Sequence, residues 1–186
     1  MTETTDIQPD SIRAQLGRLA RTIARSKRFR GDTATLDEGE CAALRRLNPE
    51  APLQRHFGAL VHALMLADVP MDRFANDRWA CWALIAQGIA IAGHDAHVRL
   101  GSQLAAARVT ELRITRFLNT RHSAFRRQVS LLMRLMESRE ISPNWIELGV
   151  LVLTTDEGKS EERRLRIAQD YYKAVYSDKS STGIDE

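Results

Sequence analysis

The arginines between residues 108 and 139 offer the clearest chemistry in this sequence, because a planar guanidinium can hold a phosphate through two parallel hydrogen bonds. This stretch contains eight arginines and two acidic residues, which gives it a net charge of +6. At 3.6 residues per turn, Arg126, Ser130 and Arg134 are predicted to share one exposed helix face. The stretch is therefore a candidate surface for a polyanion.

A run of positive charge can also be an ordinary solvated helix face. Solvated faces tend to mix the two signs, because opposite charges four residues apart stabilise a helix and like charges destabilise it. In this stretch arginines follow one another with few acids between them. The uniform sign favours binding of an external anion.

A second basic block lies near the N-terminus. Residues 11 to 31 contain seven basic residues and no acidic one, whereas residues 154 to 186 contain eight acidic and six basic residues. Lys27, Arg28 and Arg30 belong to this block and are predicted to lie in a turn, SKRFRGD. Charge concentrated in two blocks is expected of a surface that follows a phosphate backbone.

The doublet His94-Asp95 raises a rival hypothesis, a metal-dependent phosphohydrolase of the histidine-aspartate type. The other residues available as ligands are His56, His62, Asp156 and Asp170. The doublet follows Ala-Gly in a predicted turn, whereas metal ligands need rigid elements that fix their positions. The sequence therefore favours a protein with no metal site, and it contains no motif for any other cofactor.

Two further hypotheses concern catalysis and sequence-specific DNA binding. Ser123 directly follows His122, and neighbours on a helix point about 100° apart, so the two cannot form a nucleophile and its base. A free-standing helical DNA-binding regulator would need base-reading amides among the arginines. Only Gln128 meets that need, so the regulator is the alternative hypothesis. Because no nucleophile and base are paired, we expect no enzyme.

Composition limits the class of protein. The chain has 186 residues, of which 44% are hydrophobic, enough for one domain or two small lobes. Cys41 and Cys81 belong to no paired motif, so no disulfide is expected. The N-terminus does not resemble a signal peptide, and no apolar run approaches the roughly 18 to 20 residues of a membrane span. We expect a cytoplasmic protein without a membrane partner.

The elements that position these side chains are all predicted to be helices, because no segment shows convincing strand alternation. The predicted fold class is all-α, with two small packed lobes, about seven to nine helices and no sheet. We expect a flexible N-terminus at residues 1–10 and an N-terminal lobe at 11–93. A C-terminal bundle with the arginine-rich face follows at 94–176, and a flexible tail at 177–186.

Within the arginine-rich stretch, Asn119-Thr120 is predicted to separate two helices. The first is expected to begin with Ser102 as its cap and to bury Leu112. The second is expected to be capped by Ser123. Its apolar stripe consists of Phe125, Val129, Leu132, Met133 and Met136.

Two more helices are predicted at the C-terminal end. The first begins at Ser142-Pro143, a good cap and first-turn pair. The second begins at about Glu161. Its predicted inner side consists of Leu165, Ala168, Tyr172 and Tyr176.

Four segments, in this order and spacing, resemble the CasB family, the small subunit of the type I-E CRISPR effector complex, Cascade. They are GECAALRRL, TRFLNTRHSAFRRQVSLLMRLME, PNWIELGVLVL and RRLRIAQDYY. The resemblance runs from about Gly39 to Tyr172. It implies a non-catalytic helical protein, two copies of which sit in the complex beside the other Cascade subunits. It also implies binding to guide RNA and to both DNA strands of the R-loop.

The resemblance assigns backbone binding to the arginines within the matched segments and the residues between them. These are Arg45, Arg46, Arg108, Arg113, Arg116, Arg121, Arg126, Arg127 and Arg134. Lys27, Arg28 and Arg30 lie outside the resemblance, and their assignment depends on charge alone. A longer N-terminal section and an acidic tail depart from the family pattern.

Overall fold

A computed structural model describes residues 9–25, 35–51, 53 and 55–182. Over these residues the chain forms nine α-helices and no strand, so the all-α fold class is confirmed. The helices are α1 Pro9–Arg25, α2 Glu38–Arg45, α3 Phe57–Leu66, α4 Asn76–Ala92, α5 Leu100–Ala106, α6 Glu111–Asn119, α7 His122–Ser138, α8 Trp145–Leu153 and α9 Glu157–Thr182. None of them has the length and apolar character of a membrane span. The predicted basic turn with Lys27, Arg28 and Arg30 lies outside the described residues.

Helix α4 occupies the centre of the molecule. It packs against α1, α2, α3, α7 and α8, and it is buried along almost its whole length because its sequence is apolar on every side. Trp82, Ile85 and Ile89 belong to its core-facing surface. The other helices therefore take their positions from this one.

Two glycines permit close helix contacts. A Cβ atom at Gly88 would overlap the indole ring of Trp145, so α4 and α8 can approach only because residue 88 has no side chain. A Cβ atom at Gly101 would overlap the backbone of α9 at Ile167 and Tyr171. Helix α5 accordingly lies directly against α9.

The hydrophobic core crosses the predicted boundary between the lobes at residues 93 and 94. Helix α1 packs on α8, and α4 packs on α7 and α8. One continuous cluster of buried residues runs from Leu16 in α1 to Tyr171 in α9. The two sequence segments therefore share a core.

Three helices end in the same left-handed turn although no glycine is present. Asp68, Arg108 and Glu140 follow α3, α5 and α7 with φ angles of 52°, 53° and 56°. After α5, Arg108 N–H donates to the carbonyl of Ala105 at 2.8 Å and Val109 N–H donates to that of Leu104 at 3.1 Å. This is the Schellman arrangement, which satisfies carbonyls at a helix end.

The arginine-rich stretch differs from its prediction at both helix starts. Helix α5 begins at Leu100, so Ser102 lies inside it, and the turn at Arg108 separates α5 from α6. Leu112 is 71% exposed and not buried, because the new helix begins with a different face toward the core. The break at Asn119 is confirmed, but α7 begins at His122, so Ser123 is inside the helix and Arg121 occupies the cap position.

The two C-terminal helices also begin elsewhere than predicted. Asn144, and not Ser142, caps α8 by accepting from the N–H groups of Ile146 and Glu147. Helix α9 begins at Glu157 and continues to Thr182, past the predicted start of the tail. Leu165, expected inside, is 57% exposed.

The core side of α9 is formed by Arg164, Ile167 and Tyr171. The predicted inner stripe was one position out of register because a charged residue, Arg164, occupies the first buried position.

Candidate nucleic-acid interface

The structure divides the nine predicted arginines that it describes into two sets. Six are exposed, and their guanidinium groups form no hydrogen bond or ion pair with any described residue; we call them the open arginines. They are Arg46, Arg108, Arg113, Arg116, Arg127 and Arg134. The other three, Arg45, Arg121 and Arg126, are bound to acidic side chains of the same chain; we call them the bound arginines.

Helix α6 presents two open arginines, Arg113 and Arg116, one turn apart. Ile114 and Phe117 anchor the opposite face of α6 in the core, which fixes the direction in which the arginines point. The exposed side chain of Leu112 lies four residues before Arg116 and hence on the same face. This face therefore combines charge with an exposed apolar group.

Helix α7 presents Arg127 and Arg134 two turns apart, about 10.5 Å along the helix axis at 1.5 Å per residue. The predicted apolar stripe of α7, from Phe125 to Met136, is buried and confirmed. Leu131 lies between the two arginines and is exposed. The exposed face of α7 thus repeats the combination found on α6.

Two open arginines lie at helix ends. Arg46 follows α2, where the burial of Leu44 and Leu47 directs it outward. Arg108 occupies the left-handed turn between α5 and α6, and the buried residues Leu104 and Val109 on either side hold that turn in place. The backbone at Arg108 is therefore more restrained than that of an ordinary loop.

Arg126 does not lie on the exposed face expected from its spacing with Ser130 and Arg134. Its side chain is only 13% exposed, with Nη1 at 2.6 Å from Asp77 and Nε at 3.1 Å from Glu50. Burial opposes the charge on Arg126, but the hydrogen bonds and negative charges of Glu50 and Asp77 outweigh it and raise the pKa of the guanidinium. Its counter-charges thus come from within the chain.

The other two bound arginines have one acidic partner each. Arg121 donates to Glu161 at 2.7 Å and joins the start of α7 to α9. Arg45 donates to Glu137 at 2.7 Å and to the carbonyl of Ala90, which joins α2 to α4 and α7. Both contacts connect helices, so these guanidinium groups have a structural role.

Four further arginines were not identified as candidates by the sequence analysis. Arg164 is 4% exposed and Arg78 is half-buried, and both line one cavity with Arg121 and Arg126. For Arg164 a signal was available, since it lies three and seven residues before the buried Ile167 and Tyr171 on one helix face. Arg55 and Arg73 are exposed in loops outside both predicted basic blocks.

The doublet His94-Asp95 is engaged in local structure. His94 Nδ1 accepts from the N–H of Trp145 at 3.0 Å, and Asp95 accepts from the N–H of His97 at 2.8 Å. Burial lowers the pKa of His94, which favours the neutral ring that this hydrogen bond requires.

Three of the other four nominated metal ligands have partners of their own. Asp170 lies 3.3 Å from Arg99, and His62 lies 2.6 Å from Glu40. Asp156 accepts from the N–H of Lys159. Within the described ranges, no three His, Cys, Asp or Glu side chains are grouped so that they could hold a metal ion.

Comparison with protein families places the chain in a known family. The family model described as CRISPR-associated protein Cse2 matches residues 40–172. That range contains all nine described arginines of the candidate interface. Searches of curated proteins and of solved structures gave no match.

Proposed function

Because the chain belongs to the CRISPR-associated Cse2 family and is thereby a subunit of the type I-E Cascade complex, we propose that it is a non-catalytic nucleic-acid-binding subunit. In this proposal it acts in the cytoplasm, binds the backbones of guide RNA and target DNA, and stabilises the R-loop. The open arginines make the contacts. A second copy of the chain is present in the same complex.

The main support is the lack of counter-charge around the open arginines. Arg113 and Arg116 lie one turn apart on α6, where like charges repel, and neither has an acidic partner in the described part of the chain. Arg127 and Arg134 on α7 are in the same situation. By contrast, each bound arginine has a carboxylate within 3.1 Å. Phosphate groups would supply the negative charge that the surroundings of the open arginines lack.

The proposed contacts suit the energetics of an R-loop. A guide–target heteroduplex is about as stable as the DNA duplex that it replaces, so contacts between protein and backbone can decide whether the R-loop persists. Guanidinium groups that contact phosphates do not read bases. Binding should therefore be independent of sequence and should weaken steeply as salt concentration rises.

The first experiment tests assembly. The tagged chain would be co-expressed with the other subunits and a guide RNA, and the mass of the native particle measured. A particle that contains RNA and two copies of this chain is expected. A chain that elutes alone, without RNA, at low salt would contradict the proposal and favour the free-standing regulator.

The second experiment tests the interface. Arg113, Arg116, Arg127 and Arg134 would be changed together to glutamine in the assembled complex, and target DNA binding measured over a range of salt concentrations. The slope of log K against log salt should become shallower by about three to four, since each lost phosphate contact removes about 0.9. Arg166→Gln is the control, because Arg166 is also exposed but is paired with Glu162. An unchanged slope in the fourfold variant would exclude these arginines from the interface.

A further inference from the structure

A cavity of about 840 Å³ lies where α4, α7 and α9 begin and α8 ends. This volume is within the usual range for small-molecule sites. None of the open arginines lines the cavity, so it is separate from the proposed nucleic-acid interface. Four other arginines line it, namely Arg78, Arg121, Arg126 and Arg164.

Two of these four guanidinium groups have no carboxylate partner among the residues that the structure describes. Arg164 donates to the carbonyl of Leu118 at 2.8 Å and to Ser160 Oγ at 3.3 Å, and its guanidinium carbon lies 4.5 Å from the ring centre of Phe125. Arg78 donates to the carbonyl of Leu153 at 3.0 Å. Burial lowers the pKa of both groups, that of Arg164 to about 10. A buried cation without a counter-ion is costly, and a bound anion would reduce that cost.

The acidic residues around the cavity do not supply that counter-ion. Glu161 is bound to Arg121 at 2.7 Å, and Asp77 is bound to Arg126 at 2.6 Å. Glu157 is exposed at the start of α9. Glu50 is a second carboxylate on Arg126, so the acids near the cavity equal the four arginines in number, but none of them contacts Arg78 or Arg164.

The backbone contributes positive potential at the cavity wall. Helices α4 and α7 each have 17 residues, and neither N-terminus is capped by a side chain. Both helices begin at the cavity wall, through Asp77 and His122. The first N–H groups of an uncapped helix favour a negative charge.

We propose that this cavity binds a nucleotide, with its phosphate toward Arg78 and Arg164 and its base against the apolar wall. That wall includes Phe125, Leu151 and Val152. The nucleotide is either a free nucleoside monophosphate or one residue of a nucleic-acid strand, since the two present the same chemistry. This site is additional to the open arginines and does not depend on them.

Calorimetric titration of the full chain with AMP, with adenosine and with a single-stranded DNA oligonucleotide tests the proposal. Thr155→Glu places a negative charge on an exposed loop that lines the cavity. Thr115→Glu makes the same change on the exposed side of α6, outside the cavity, and controls for net charge. We expect AMP to bind and adenosine not to bind. Thr155→Glu should weaken AMP binding at least tenfold, and Thr115→Glu should change it less than twofold.

A second pair of variants removes a charge instead of adding one. Arg164→Gln should also weaken AMP binding, whereas Arg166→Gln, two residues further along the same helix and exposed, should not. Because Arg164 is buried, its variant would first be checked for folding by circular dichroism. Thr155→Glu changes an exposed residue and leaves the core intact. If Arg164→Gln does not fold, Thr155→Glu alone still tests the proposal.

The oligonucleotide separates the two sources of the ligand. Sensitivity of AMP binding to Thr155→Glu identifies a free nucleotide site. If only oligonucleotide binding is sensitive, and is not affected equally by Thr115→Glu, the site holds a nucleotide of a strand. If neither ligand binds, or if neither responds more to Thr155→Glu than to Thr115→Glu, the proposal is wrong.

Discussion

The open arginines and the bound arginines have the same side chain but differ in what neutralises it. Arg126 and Arg127 are neighbours on α7, yet Arg126 lies between Glu50 and Asp77, while Arg127 extends from the exposed face. Charge density along a sequence does not separate these two cases. In the function proposed above, positive charge marks a binding surface only where the fold leaves it without acidic partners.

Substitution of Arg126 should have the largest effect on stability. Arg126→Gln leaves Glu50 and Asp77 close together without a cation, and the loop before α3 loses its connection to α4 and α7. We expect the free energy of unfolding to fall by about 1–2 kcal/mol, because both acids are exposed enough for water to screen part of the lost attraction. Urea unfolding followed by circular dichroism measures the change. If Arg126→Gln instead left stability unchanged and weakened DNA binding, the division into two sets would be wrong.

Arg127→Gln is the complementary variant one residue away. In the assembled complex it should make the slope of log K against log salt shallower by about one, with a loss of about 1 kcal/mol or less in target binding. The free energy of unfolding of the chain should stay within about 0.5 kcal/mol of the parent value. Equal salt slopes for the parent and the variant would remove Arg127 from the interface.

Arg108 allows charge and backbone to be separated at one open position. Its φ of 53° suits glycine better than any residue with a Cβ. Arg108→Gly should therefore be more stable than Arg108→Ala by up to about 1 kcal/mol. Both variants should weaken DNA binding to the same extent, because both lose the guanidinium. Different DNA affinities for the two would mean that the turn itself, and not its charge, matters for binding.

A change in pH should alter the stability of the fold through His94. Because burial lowers the pKa of His94 below its ordinary value of 6.5, the unfolded chain binds more protons than the folded chain in acid. This contribution is complete above about pH 6.5 and is lost as the pH falls through the lowered pKa. Urea midpoints for the parent and His94→Gln should therefore converge as the pH falls from 7.5 to 5.5. If the difference between the two urea midpoints stayed constant over this pH range, His94 would not be the group responsible.

The parts of the fold that were predicted correctly depend on local sequence. The apolar stripe of α7 follows from its helical spacing alone, and all of its predicted members are buried. The break at Asn119 likewise follows from nearby polar residues. Leu112 was misassigned because Arg108 ends α5 in a conformation that usually requires glycine, so no local signal marked the new helix.

The division of the arginines could not be predicted from the sequence. The two acids that bind Arg126 lie 76 and 49 positions away along the chain. Glu161, the partner of Arg121, lies 40 positions away. No spacing rule connects residues at such separations, because the contacts exist only after α4, α7 and α9 have packed. Sequence periodicity therefore located the helices that carry these arginines, but it could not tell which of the arginines lack acidic partners.

The contact between Gly88 and Trp145 has a consequence for how the protein is synthesised. Helix α8 covers surfaces of α1 and α4 that were made long before it, with Trp145 against Gly88 and Gly149 against Leu16. Until the ribosome has added α8, those apolar surfaces have no partner in the growing chain. The core can therefore be completed only late in translation. A chain that stalls before Trp145 would expose this apolar surface to chaperones and proteases.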